Sequence, residues 1–199
     1  MAWSAHDFLD ISSRFAVEKA LQRLLSQKSI RRLHRGLFGL ASNGQEGNLK
    51  HLLHPVHYIN AIARREHARV LIDANTAASF LGLVADVPAE ALILTSKHSR
   101  LVSVTTDQPN TSGRYGCQLH FKRATGSKMY WAGRPAMLLV QATTWIAKGE
   151  YKSDFSKWLN DFILDNGSIF SIERDINCNW SMVPEEARPF LQELIKNNS

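Results

Sequence analysis

Residues Ser12 to Leu40 read SSRFAVEKALQRLLSQKSIRRLHRGLFGL, and the fold of the N-terminal end turns on how this stretch is read. Val17, Leu21, Leu24 and Lys28 recur at helical spacing, flanked by Ala20 and Leu25, which makes one stripe of an amphipathic helix. Ser13, or Ser12, stands where an N-cap hydroxyl is wanted, and the helix runs to about Gln27. Its other face shows Phe15, Lys19, Gln22, Arg23 and Ser26. Ile30 to His34 and Leu37 to Leu40 then alternate as two short strands, with Arg35-Gly36 at the bend, where glycine supplies a positive φ. A helix followed at once by a basic two-stranded ribbon is the pattern of a winged helix-turn-helix.

Working outward, Ser4 precedes a short helical segment, Ala5 to Leu9, with Asp7 placed to reach back to the cap. Downstream, SNGQEGNLK at Ser42 to Lys50 has turn-type dipeptides and no periodicity, so it reads as a linker. The expected units are a module at 1–41, a linker at 42–50 and a larger α/β domain at 51–199.

In that second unit a helix begins at Pro55, a residue suited to a first helical turn, and ends near His67. Val70 to Asp73 reads as a strand, Asn75 as the cap of a helix through Leu81, and Gly82 as its stop. Ala91 to Thr95, Arg100 to Thr105, Cys117 to Arg123 and Lys128 to Trp131 read as strands of a small antiparallel sheet, with a turn-rich loop at Asp107 to Gly116. The rest is helical: Ala136 to Ala147, Asp154 to Leu164, Ile169 to Ile176 and Glu185 to Lys196. The class is α+β: a small winged helix-turn-helix, then a mixed domain that closes in helices.

Composition narrows the function. The 199 residues are 44% hydrophobic and 21% charged, and no run approaches the roughly 18–20 apolar residues that span a bilayer. Asp7 and Asp10 stand where a secretory signal would be basic, so a cytoplasmic protein is expected, with no membrane partner. Cys117 and Cys178 are isolated and read as reduced structural thiols. Net charge is +6. Its distribution matters more, because Met1 to Ala41 holds seven basic residues against three acidic ones.

Short polar and basic side chains on a helix read base edges, while neighbouring cations hold phosphates. The expected DNA-binding residues are Ser13, Arg14, Lys19, Gln22, Arg23 and Ser26 on the helix, with Arg31, Arg32 and Arg35 on the wing. Gln22 and Arg23 are the side chains best able to make bidentate contacts, to adenine and guanine respectively. A solvated basic face used for protein contacts is the competing reading. A second basic set surrounds the predicted sheet: Lys97, Arg100, Lys122, Arg123 and Lys128, with His98, Arg114 and Arg134, interleaved with Tyr115, Phe121, Tyr130 and Trp131. It is either another anionic-partner surface or a half-buried sheet with its aromatics inward and its cations solvated.

No catalytic residue, metal site or cofactor is expected. His51, His54 and His57 straddle Pro55, so their rings diverge, and no carboxylate or cysteine lies near them in sequence. Asp73, Asp86 and Asp107 fit no catalytic spacing. A nucleic-acid-processing enzyme built on the histidines is the remote alternative.

Three stretches together carry a family resemblance: HDFLDISSRFAVEKALQRLLSQKSIRRLHRGLF from His6 to Phe38, AIARREHARVLIDANTAASFLGLVADVPAEALILTSKHSR from Ala61 to Arg100, and WAGRPAMLLVQATTW from Trp131 to Trp145. They span most of the chain, which resembles the AbiEi-type antitoxins of bacterial type IV toxin-antitoxin systems. The resemblance implies an N-terminal winged helix that represses the shared promoter by binding double-stranded DNA, and a second domain that counteracts a nucleotidyltransferase-like toxin without requiring a stable complex. It assigns no antitoxic residue. Little chain precedes the turn, so the helix that often opens such modules is expected to be short or absent and the module to lean on the second domain. A stand-alone regulator with a sensing domain is the alternative.

Overall fold

The structure is a computed structural model and describes residues 1–41, 53–105, 116–150, 158 and 170–196. The linker expected at 42–50, His51, the loop at 107–115 and, apart from Trp158, the helix expected at Asp154 to Leu164 lie outside the described residues.

The chain opens with a 3-10 turn, Ala5–Phe8, in which the Asp7 carboxylate accepts from the Ser4 N–H at 2.7 Å and the Ser4 hydroxyl at 3.1 Å. Helix α1 spans Arg14–Ser26, and the Ser13 hydroxyl accepts from the Ala16 N–H at 3.4 Å. The helix stops two residues short of Lys28, which takes a left-handed φ of 55° and is exposed, so it leaves the apolar stripe and belongs to the turn. Strands β1 (Ile30–His34) and β2 (Leu37–Leu40) pair antiparallel, with an irregularity between Arg32 and His34. Trp3 forms a bridge to Phe38, so the start of the chain adds to the far side of the ribbon. Val17, Leu21 and Phe38 make the small core under α1, with Phe8, Leu25 and Ile30 packed around it.

Helix α2 spans Pro55–Glu66 and ends at His67, whose left-handed φ of 48° turns the chain. Strand β3 is Val70–Ile72, shorter than expected, because Asp73 is spent as a cap: its carboxylate accepts from the Thr76 N–H, the Thr76 hydroxyl and the Leu92 N–H. Helix α3, Ala74–Phe80, is therefore capped by Asp73, and Asn75 lies inside it. Strands β4 (Glu90–Thr95), β5 (Arg100–Val104) and β6 (Cys117–Arg123) complete a sheet of order β3-β4-β6-β5. The sheet is mixed where an antiparallel one was expected, since β4 and β6 run parallel. Lys128 to Trp131 is not a strand: Gly126 at φ 69° starts a 3-10 turn, Gly126–Met129, and the apparent alternation comes from Met129 and Trp131 both turning into the interior.

One face of the sheet, built by Ile72, Ala91, Ile93, Val102, Leu119 and Phe121, packs on Val56, Ile59 and Ile62 of α2. Ala2 and Leu37, both fully buried, join this same core, so the helix-ribbon module and the sheet share apolar interior. Helices α4 (Met137–Trp145), α5 (Phe170–Cys178) and α6 (Arg188–Lys196) form a second core with α3 around Leu139, Ile176 and Leu191. The architecture is α+β. Among the described residues no helix is long and apolar enough to cross a membrane.

Candidate nucleic-acid interface

The outer face of α1 stands clear of all three cores. Ser13, Arg14, Lys19, Gln22, Arg23 and Ser26 are all exposed: helical periodicity turns Lys19, Gln22, Arg23 and Ser26 away from the inward Val17 and Leu21, while Ser13 and Arg14 stand at the open start of the helix. Besides the Ser13 cap, several of them have local partners. Arg14 donates to Glu18 at 2.9 Å on the surface, and the Ser26 hydroxyl donates back to the Gln22 carbonyl at 3.1 Å. Lys19 lies over the ring of Phe15 at 4.6 Å, and Phe15 is itself 67% exposed, so the pair forms a cationic-aromatic ridge on this face.

The ribbon supplies the second wall. In the antiparallel register Arg32 opposes Phe38 and Arg31 opposes Gly39, and consecutive strand residues point to opposite sides. Arg32 is exposed and lines a groove of about 680 Å³ between α1 and the ribbon, whose apolar floor is Leu21, Leu25 and Phe38. Arg14, Arg35 and Arg65 stand on the rim of the same groove. Arg31 is half-buried and engaged within the fold, so Arg32 and Arg35 are the cations the ribbon presents openly.

The module is held against α2 by polar ties as well as by Leu37. Arg64 donates to Asp7 at 2.6 Å and to the Ala2 carbonyl at 2.8 Å. Burial raises the Asp7 carboxyl, but the Arg64 and Ser4 hydrogen bonds outweigh it and hold the group below its usual value. Arg65 donates to the Arg35 carbonyl at 3.3 Å, at the ribbon's bend. The Nε2 atoms of His6 and His67 lie 3.1 Å apart, with the rings edge to face. Arg64 and Arg65 escape a reading of the sequence because paired arginines at a helix C-terminus already complement its dipole. Nothing in the local pattern says that they reach the N-terminal residues.

The second basic set divides. Arg100 is committed to Glu66, and its guanidinium lies 4.8 Å from the Phe121 ring centre. Arg134 donates to Asp175 at 2.6 Å and stacks on Tyr130, while the Trp131 indole N–H donates to the Met182 carbonyl at 3.0 Å. Tyr130 bonds to Asn179, and Phe121 and Trp131 are buried. These aromatics therefore face inward and offer no stacking platform. Lys97, Lys122, Arg123 and Lys128 are exposed. Arg114 and Tyr115 lie outside the described residues.

His54 has a structural role at the α2 entry. His54 caps α2, its Nδ1 accepting from the Val56 N–H at 3.3 Å, while Nε2 faces the Ser79 hydroxyl at 3.3 Å. Ser79 in turn donates to the Asp86 carbonyl at 2.9 Å. Burial, helped by the charge of His57, lowers His54 to about 4. Among the described residues no group of three His, Cys, Asp or Glu is placed to hold a metal. Cys117 is buried and its thiol is pushed up to about 12 by that burial and by the charges of Asp73 and Glu90, whereas Cys178 is exposed; both are free thiols.

The sequence matches, over residues 3–164, the model of a family described as a family of unknown function, DUF6088. Comparison with curated proteins and with solved structures found no match. The matched residues take in α1, the ribbon, α2 and the whole four-stranded sheet, and the chain belongs to the DUF6088 family.

Proposed function

We propose that this chain is a DNA-binding antitoxin and autorepressor of the AbiEi type, acting in the cytoplasm on its own promoter. The observation that carries the DNA-binding half is the outer face of α1, where Lys19, Gln22, Arg23 and Ser26 stand exposed beside a ribbon that presents Arg32 and Arg35. On this reading α1 is the recognition helix and β1-β2 the wing, a reading that the order of bridge, 3-10 turn, helix and ribbon supports. Gln22 and Arg23 then read base edges in a major groove, and Arg32 and Arg35 hold phosphates or enter the adjacent minor groove. Binding needs no cofactor and no turnover.

The antitoxic half rests on the resemblance of the three sequence stretches, and the second domain is its seat. A nucleotidyltransferase-like toxin encoded beside this chain is the functional partner. Co-expression with the neighbouring gene tests it. The full chain restores growth that the neighbour alone arrests, and Gln22→Ala/Arg23→Ala restores it equally while losing promoter repression. A neighbour that does not arrest growth, with repression intact, would instead identify a stand-alone regulator.

A further inference from the structure

The wing and the far end of the sheet are joined by an unbroken chain of contacts. Arg65 donates to the Arg35 carbonyl at 3.3 Å and to Glu66 at 3.2 Å. Glu66 also receives both arms of Arg100, the first residue of β5. Strand β5 is entered from β4 through Ser96 to Ser99, and the Ser99 hydroxyl accepts from the N–H of Arg123, the last residue of β6, at 2.9 Å. Lys97, His98 and Arg123 therefore stand on the part of the sheet that these contacts tie to the ribbon's bend. All three are exposed, and the side chains of Lys97 and Arg123 make no ion pair among the described residues.

Charge balance along this path is one-sided. Glu66 is its carboxylate, and it is consumed by Arg100 and Arg65. Glu90, the carboxylate within the sheet's strands, opposes Gln118 at the opposite end of β4, whereas Thr95 opposes Arg123. Lys122 alternates with Phe121 and so falls on the other face of the sheet, in line with His120. Unneutralised cations held together on a rigid frame repel one another until a polyanion meets them, and duplex DNA offers one charge per about 1.7 Å of axis.

We propose that Lys97 and Arg123 form a second phosphate clamp, continuing the footprint of Arg32 and Arg35 along the same DNA duplex. The proposal rests on the DNA-binding reading of α1 and adds to it a contact made by the domain to which antitoxicity is assigned. Repression and the second domain are then not separable, because the sheet end contributes to promoter affinity.

The test is the salt dependence of full-chain binding to a duplex from its upstream region, followed by fluorescence anisotropy. Each phosphate contact contributes about 0.9 to the slope of log K against log salt, so Lys97→Gln/Arg123→Gln lowers the slope by about two. Lys122→Gln/Lys148→Gln removes the same charge elsewhere and leaves the slope as it was. Thermal unfolding of the Lys97/Arg123 variant matches the parent, which separates lost contacts from lost fold. Binding by the parent with an unchanged slope in the Lys97/Arg123 variant, or an equal loss in both variants, overturns the clamp and leaves the α1 reading standing. Failure of the parent to bind any duplex overturns both.

Discussion

Arg64 of α2 donates to the Asp7 carboxylate at 2.6 Å and to the Ala2 carbonyl at 2.8 Å, so one side chain ties the 3-10 turn and the start of the chain to the helix that backs the sheet. A charge-assisted pair of this kind, partly exposed, is worth about 1–2 kcal/mol. Arg64→Ala is expected to lower the urea midpoint accordingly. Arg64→Lys recovers only part of it, because Asp7 and the Ala2 carbonyl are reached by two different guanidinium nitrogens and lysine offers one. Full recovery by lysine would show that charge alone holds the module.

Leu37 has no exposed surface and sits with Ala2 in the core shared by α2 and the sheet. Leu37→Ala leaves a cavity there and costs about 2–5 kcal/mol. Because the core is shared, unfolding remains one transition when followed by near-ultraviolet dichroism and by Trp3 or Trp131 fluorescence. Two separated transitions in the parent would mean that module and sheet unfold independently.

His54 makes stability depend on pH in a definite direction. In the fold its pKa is lowered from 6.5 to about 4, since burial desolvates the ring and the charge of His57 adds to it, whereas the unfolded chain protonates it near the ordinary value. The neutral ring therefore contributes stability above about pH 6.5, and this contribution, at most about 3 kcal/mol, is withdrawn as pH falls towards 4. His54→Asn keeps a capping acceptor. Its stability profile between pH 6.5 and 4 is expected to be flatter than that of the parent; parallel profiles would rule His54 out as the titrating group. Asp7 and Glu66, both held below their usual range because arginine and other hydrogen bonds outweigh burial, lose their contributions only at more acid pH.

Gly36 turns the ribbon at φ 73°, and a β-carbon there would lie 3.3 Å from Arg65 Nη1. Gly36→Ala is expected to cost about 1–2 kcal/mol for the left-handed backbone, and to weaken the tie between Arg65 and the Arg35 carbonyl as well. Hydrogen exchange at the ribbon amides checks it, with faster exchange expected from Arg32 to Phe38. An unchanged pattern would mean that the bend tolerates a side chain.

What could be read from the residues followed local physics. Serine 13 as a cap, the Val17 and Leu21 stripe and the Arg35-Gly36 bend are determined within a few residues of one another, and the structure has them all. Local pattern misleads where distant partners decide. Asp73 reaches Leu92 across the sheet and so outcompetes Asn75 as a cap. The Met129 and Trp131 side chains are drawn into the interior by elements dozens of residues away, which gives a turn the alternation of a strand. At the candidate interface the exposed face of α1 was legible from periodicity. The roles of Arg64 and Arg65 were not, because their acceptors are backbone and carboxyl groups far away in sequence.

Discrimination between sequences by α1 tests the central reading most directly. The full chain is competed between a duplex from its own upstream region and a scrambled duplex of the same composition, alongside Gln22→Ala and Arg23→Ala. If Gln22 and Arg23 read bases, each substitution reduces the preference for the upstream duplex by about 1–3 kcal/mol while binding to the scrambled duplex changes far less. Equal affinity of the parent for both duplexes, or full discrimination retained by both variants, would contradict it.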